Sequence, residues 1–203
     1  MNSDNTFFPE AAAGDFAEQL AASTPTPGGG AVAARVGLYA TSLLRMVVGI
    51  SLNREPEDAT ELGAINAQAV ELGQRFRQLE ANDVAAFNGF IAAVRMPRST
   101  EAEKELRLRA RHETARQATD VPLRLLEAVV STLELVQKLQ ALSGSAGLST
   151  ESDLHAAVAF VGASFQVGEL NVEANLPYLE ADEVEAVNKQ LVDLRAAFRG
   201  LQL

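Results

Sequence analysis

The sequence predicts an all-α fold, a bundle of long helices that assembles as a dimer. Three observations predict it. Apolar residues recur at spacings of three and four over long stretches, as they do on helices that bury one face. No stretch alternates convincingly with a period of two, and prolines and glycines fall between the periodic stretches rather than inside strands. The chain is 47% hydrophobic yet only 5% aromatic and has no Trp, so its core is built from Leu, Val and Ala, which let helices approach closely.

At 203 residues the chain is long enough for one sizeable core, and it reads as a flexible segment over 1–14 followed by a single helical domain over 15–203. A formal charge of −10 argues against nucleic acid as a partner, since phosphate binding needs a basic surface. Without cysteine there are neither disulfides nor thiolate metal sites. Met1 to Phe8 shows no basic segment followed by an apolar one, so a cytoplasmic location is expected. Ala31 to Leu52 is about as long as a membrane span, but Arg35 and Arg45 lie inside it, and a buried helix with no membrane partner is the better reading.

In chain order, Asp15 to Ala22 reads as a short helix with Phe16, Gln19 and Leu20 facing inward, stopped by Thr24-Pro-Thr-Pro-Gly-Gly-Gly30. The second helix, Ala31 to Leu52, is apolar on all sides and is expected to be nearly surrounded by protein. The third, Glu57 to Arg95, carries the stripe Leu62, Ile65, Ala69, Leu72, Phe76, Leu79, Asp83, Phe87, Phe90 and Val94, and Pro97 ends it. Ser99 to Glu103 resembles a capping segment for a fourth helix that runs to about Leu142, with a kink expected at Pro122. Gly144 to Ser152 reads as a loop. Ser152 or Asp153 then caps a fifth helix that ends near Asn175. The last helix repeats Val184, Val187, Leu191, Leu194, Phe198 and Leu201. This stripe and the all-round apolar second helix both suggest subunit contacts, with a two-fold dimer as the default.

Asp83 is the most informative residue, a carboxylate where the spacing calls for an apolar side chain. Buried and unpaired, it would protonate or face a cavity as a general acid–base group; the alternative is an ion pair with an arginine of a neighbouring helix. Gly28 to Gly30, ahead of a helix, expose backbone N–H groups for a carboxylate, a phosphate or a polar ring edge, or simply make a tight turn. On the fifth helix Ala157, Val161, Ser164, Gly168, Asn171 and Asn175 share a face that turns small and polar. Its two amides either hold a planar ligand or bond carbonyls where helices cross. Basic residues from Lys104 to Arg124 read as a solvated face, from which Arg107 alone turns inward. His112 and His155 have no partner at metal-ligand spacing, so no metal site is expected.

Ser23-Thr-Pro-Thr-Pro-Gly-Gly-Gly30 with Val32-Ala-Ala34, then Asp83 with Ala86-Phe87, Met96-Pro97, Arg107, Val121-Pro122-Leu123, Ser152-Asp153-Leu154, Asn171-Val172 and Asn175-Leu176, follow in one order. As a set, from about Phe16 to Asp182, they resemble the cyclodeaminase/methenyltetrahydrofolate cyclohydrolase family, which includes the C-terminal domain of formiminotransferase-cyclodeaminase. The resemblance implies an all-helical homodimer whose substrate is a tetrahydrofolate derivative, with no further cofactor. It implies either hydrolysis of 5,10-methenyltetrahydrofolate to formyltetrahydrofolate or deamination of 5-formiminotetrahydrofolate. Hydrolysis is preferred, because no formiminotransferase domain is attached. Asp83 would be the catalytic group, and Thr26, Gly28, Gly29, Gly30, Asp153, Asn171 and Asn175 would bind substrate. Arg54 would join them, supplying charge where the family has a lysine-rich segment. The alternative is a non-catalytic ligand-binding or regulatory dimer that keeps the groove without turnover.

Overall fold

The computed structural model describes residues 10–54, 56–142 and 150–201. Six α-helices lie among them: α1 (Glu10–Ala21), α2 (Gly29–Leu52), α3 (Ala59–Val94), α4 (Glu101–Ala141), α5 (Glu151–Asn175) and α6 (Ala181–Leu201), with a single 3₁₀ turn, Leu176–Tyr178, between the last two. Helix α1 begins at Glu10, ahead of the expected Asp15, and so includes part of the segment read as flexible. Its Leu20 and Gln19 are exposed rather than inward. Phe16 engages the bundle, with the Arg35 guanidinium stacked 3.4 Å above its ring.

Helices α2 to α5 form an up-down-up-down bundle. Gly30 lies against Asp83 and Gly37 against Phe76, so α2 and α3 run antiparallel. Ser164 on α5 donates to the Ala33 carbonyl at 2.8 Å, and Gly29 faces Asn171, which sets α5 antiparallel to α2 on its other side. Helix α4 closes the bundle against α3 and α5. A Cβ on Gly168 would lie 2.8 Å from Leu125 and Leu126, so a glycine is what allows α4 and α5 to come this close. The interior is aliphatic, as the composition demands: Val47, Leu62, Leu126, Val129, Leu133 and Val161 are all essentially inaccessible.

Within one chain α2 is covered on one side: its inner face fills the core, and Tyr39, Arg45 and Met46 are exposed on the side that α3, α4 and α5 leave open. Two expectations are corrected here. The α6 stripe makes no free face. Leu191 and Phe198 are buried against this chain's own α4 and α5, with Phe198 stacked 4.0 Å from Phe165. Helix α5 begins at Glu151 with Thr150 at its N-cap, so Ser152 and Asp153 lie inside its first turn, where Asp153 complements the helix dipole instead of capping. The loop expected over Gly144 to Ser149 falls outside the described residues. The capping box at the start of α4 is present: Thr100 Oγ1 accepts from the Glu103 N–H, and the Glu103 carboxylate accepts from the Thr100 N–H at 2.9 Å.

Helix length positions the site. At 1.5 Å per residue α3 is about 54 Å long and α2 about 36 Å. Since Gly30 pairs with Asp83, everything on α3 beyond Asp83 extends past the start of α2. The matching half of α4 goes with it: Gly89 faces Thr114, and Arg107 Nε donates to the Val94 carbonyl at 3.0 Å, confirming that Arg107 turns inward. Asp83 therefore sits where a four-helix bundle gives way to a two-helix overhang. The α3 stripe follows this change, buried at Leu62, Ile65, Ala69, Phe76 and Leu79 but only half-buried at Asp83, Phe90 and Val94, and exposed at Phe87.

Candidate active site

Helix α2 starts on glycines and has no side chain of its own to cap it: Gly28, at the N-cap, is in an extended conformation and follows a cis Thr26–Pro27 peptide. Its first N–H groups lack intrahelical acceptors. Asp83 supplies one from the neighbouring helix, accepting a hydrogen bond from the Ala31 N–H. The approach depends on Gly30, since a Cβ there would lie 2.6 Å from Asp83 Cγ. The glycines thus bring the protein's own carboxylate to the positive end of α2.

Two effects compete on the Asp83 carboxyl. Burial, the larger, raises its pKa above the ordinary 3.8, and the Ala31 N–H lowers it, for a net rise. No arginine neutralises it. Arg35, the nearest candidate on α2, pairs instead with Glu80, one turn before Asp83 on α3, through Nε at 3.0 Å and a second bond from Nη2. The ion-pair alternative is therefore not what the structure contains.

Asn171 joins this cluster and Asn175 lies one turn further. The Asn171 side-chain nitrogen is 3.8 Å from where a Gly29 Cβ would be, and it donates to the Val167 carbonyl at 2.8 Å. Asn175 has a clear structural task. Pro122 has no N–H, so the Ala118 carbonyl four residues earlier loses its helical donor, and Asn175 Nδ2 donates to that carbonyl at 2.9 Å. Helix α4 runs on through Pro122 with its freed acceptor satisfied. Ser164 and Gly168 are core contacts between helices, not ligand-lining positions.

Thr26 is half-buried, with its hydroxyl 3.5 Å from Asn88 Oδ1. It lines a cavity of about 530 Å³ together with Phe16, Pro27, Arg35, Glu80 and Val84. A second cavity, about 210 Å³, lies under the overhang between Phe90, Arg111 and Tyr178. Asp83 lines neither. Its neighbour Val84 lines the larger one, and Phe90, two turns further along α3, lines the smaller.

The nine expected site residues divide between the two ends of the bundle. Thr26, Gly28, Gly29, Gly30, Asp83, Asn171 and Asn175 gather at the N-terminus of α2. Arg54 follows the C-terminus of α2 and Asp153 opens α5, so within one chain both lie at the far end, about 36 Å away along α2. Arg111 was missed. It had been read with the solvated basic face, yet its Nε is buried. Its signal was the spacing of four that runs back from the buried Thr119 and Ala115 to Arg111 and Arg107.

The family described as formiminotransferase-cyclodeaminase matches residues 12–193. The chain is 31% identical over 170 residues to a methenyltetrahydrofolate cyclohydrolase of Methylorubrum extorquens, covering 81% of this chain and 79% of that protein. It is 30% identical over 173 residues to the formimidoyltransferase-cyclodeaminase of Rattus norvegicus, 82% of this chain but 31% of that one, so it spans about a third of those longer relatives. The solved formiminotetrahydrofolate cyclodeaminase of Thermotoga maritima superposes with a TM-score of 0.80 at 24% identity, covering 93% and 90% of the two chains, and shares the fold.

Proposed function

Because this chain belongs to the formiminotransferase-cyclodeaminase family, we propose that it is a folate one-carbon enzyme with Asp83 as its catalytic group. The reaction is hydrolysis of 5,10-methenyltetrahydrofolate or the related deamination of 5-formiminotetrahydrofolate, with hydrolysis preferred. Supporting that preference, a cyclohydrolase is matched along most of both chains at 31% identity, whereas the cyclodeaminase matched at comparable length stands at 24%. The observation that carries the assignment of Asp83 is a carboxylate half out of water, held by the Ala31 N–H and left without a cation.

Such a group suits both reactions. In hydrolysis, water adds to the cationic carbon bridging N5 and N10, one C–N bond breaks to leave a formyl group, and one proton is released. Asp83 takes that proton from the attacking water, and its negative charge favours the cationic carbon beside it. In deamination, N10 attacks the formimino carbon and ammonia leaves, with the same carboxyl moving the proton. The Ala31 N–H, in the first turn of α2, holds the carboxylate, and the Asn171 amide offers a polar ring edge its hydrogen bond. A homodimer belongs to this reading. Its support is an open stripe along α2 formed by Val36, Tyr39, Leu43, Met46 and Ile50, more apolar surface than a solvated helix face needs.

The test is loss of the methenyl absorbance with substrate saturating. The wild type should exceed buffer hydrolysis, and Asp83→Asn, which still accepts from Ala31, should lower kcat by roughly a hundred- to ten-thousandfold. Because burial raises the Asp83 pKa and the base must be ionised, the acid limb of kcat/KM should fall above pH 3.8 and vanish in the variant. No wild-type rate above buffer would end the catalytic reading. Stabilisation by the folate without turnover would then favour a binding dimer.

A further inference from the structure

The site around Asp83 leaves a question of charge. Folates carry carboxylates at the far end of an aryl-amide tail, and at the N-terminus of α2 Asp83 already takes the Ala31 N–H. Five arginines are half-buried: Arg35, Arg75, Arg107, Arg111 and Arg195. Four of them are satisfied. Arg35 pairs with Glu80, Arg75 with Glu127 at 2.6 Å, Arg195 with Glu173 at 2.7 Å, and Arg107 bonds the Val94 carbonyl. Arg111 is the exception, its Nε buried and without a hydrogen-bond partner among the described residues. In a chain with ten more formal negative charges than positive, an inward cation that no carboxylate claims is out of keeping with its surroundings.

Its surroundings suit a ring with an anionic end. The cavity of about 210 Å³ that Arg111 lines has Phe90 and Tyr178 as walls, their ring centroids 4.9 Å apart and tilted by 60°, with Leu108 and Pro177 beside them. His112 also lines it but is bonded to Glu183 at 2.8 Å, and Glu180 lines it without forming an ion pair with Arg111. Phe90 stands two turns beyond Asp83 on the same face of α3, about 10 Å along the helix axis. That is the direction in which a tail would run from a carbon held at Asp83.

We propose that Arg111 anchors the carboxylate of the substrate's aryl-amide tail, the glutamyl end of a reduced folate, in the cavity under the α3–α4 overhang. The inference rests on the folate reading of the Asp83 site. The guanidinium supplies two donors to one carboxylate, and Phe90 and Tyr178, packed against each other, form one aromatic wall for the aminobenzoyl ring.

The experiment compares 5,10-methenyltetrahydrofolate with 5,10-methenyltetrahydropteroate, which ends at the benzoate and lacks the glutamate. In Arg111→Gln the KM for the folate should rise roughly ten- to a hundredfold while kcat changes by less than about twofold, and the KM for the pteroate should hold. Arg111→Lys, which keeps the charge but not the fork, should fall between. Both variants should melt close to the wild type, because Arg111 has no partner to lose. Equal changes for both substrates, or none, overturn the proposal. Calorimetry with p-aminobenzoyl-glutamate separates the two readings. Binding that disappears in Arg111→Gln keeps the anchor even if no turnover is found. Normal turnover with a silent Arg111 leaves Asp83 in place and removes the anchor.

Discussion

Two contacts between α2 and α3, two turns apart on each helix, are built on one plan and used differently. Toward the bundle centre, Gly37 gives way to Phe76, and a Cβ there would lie 2.6 Å from Phe76 Cζ. At the open end, Gly30 gives way to Asp83, with its Cβ position 2.6 Å from the carboxyl carbon. Phe76 is fully buried and Asp83 only half so. The antiparallel pairing fixes where a side chain can enter. The difference lies in what surrounds it: four helices around Phe76, and around Asp83 the end of α2 with the α3–α4 overhang beyond. The same notch holds a core ring where the bundle is closed and a reactive carboxyl where it opens.

Substitutions that empty or fill the two notches should separate stability from chemistry. Phe76→Ala should cost about 3–5 kcal/mol, seen as a lower denaturant midpoint, because the ring leaves a cavity that four packed helices cannot close. Folate turnover per folded molecule should change little. Filling the notches with Gly37→Ala and Gly30→Ala should separate the two effects. At Gly37 the new methyl meets a ring held on all sides, and overpacking should cost about 1–3 kcal/mol. At Gly30 it meets the far end of a half-exposed side chain that can swing away. The usual gain of about 0.5–1 kcal/mol for Gly→Ala in a helix should offset most of that clash. Turnover should instead fall nearly as far as in Asp83→Asn, since the displaced carboxyl loses the Ala31 N–H. A Gly30→Ala enzyme of normal kcat would show that the carboxyl position does not matter to the chemistry.

The comparison also explains what the sequence made legible. The stripe of α3 identified Asp83 because Phe76 and Leu79 set a strict spacing that a carboxylate then broke. The glycines before α2 stood out by composition alone. Neither pattern shows that they meet, because nothing local in the sequence encodes the α2–α3 register. The same limit left both readings of Asn175 open, and the structure takes the helix-crossing one, with a carbonyl freed by a proline on another helix as its partner. It also let the stripe of α6 pass for a subunit contact when it closes on α4 and α5. Arg111 failed for a different reason. Surrounded by other charges along α4, it takes its meaning from the face it shares with the buried Ala115 and Thr119, a face that reaches Arg111 beside Tyr178.

The smallest effect expected is the most direct reading of the open notch. Burial raises the Asp83 pKa in the folded chain, so the fold favours its protonated form. Below the ordinary value of 3.8 the group is protonated folded and unfolded, and that contribution is fully present. As the pH rises through the raised value the folded protein must carry a partly desolvated charge, and the contribution is lost. Asn cannot ionise and can still accept from Ala31. Asp83→Asn should therefore melt slightly above the wild type at neutral pH, with the gap closing as the pH falls toward 3.8. Thermal melts of both proteins across that range check it, and taking their difference cancels the other titrating groups. A variant that melts lower at neutral pH would mean that the Ala31 hydrogen bond to a charged carboxylate outweighs its burial. Asp83 would then be a helix cap first, and its raised pKa could no longer be offered as the basis of its chemistry.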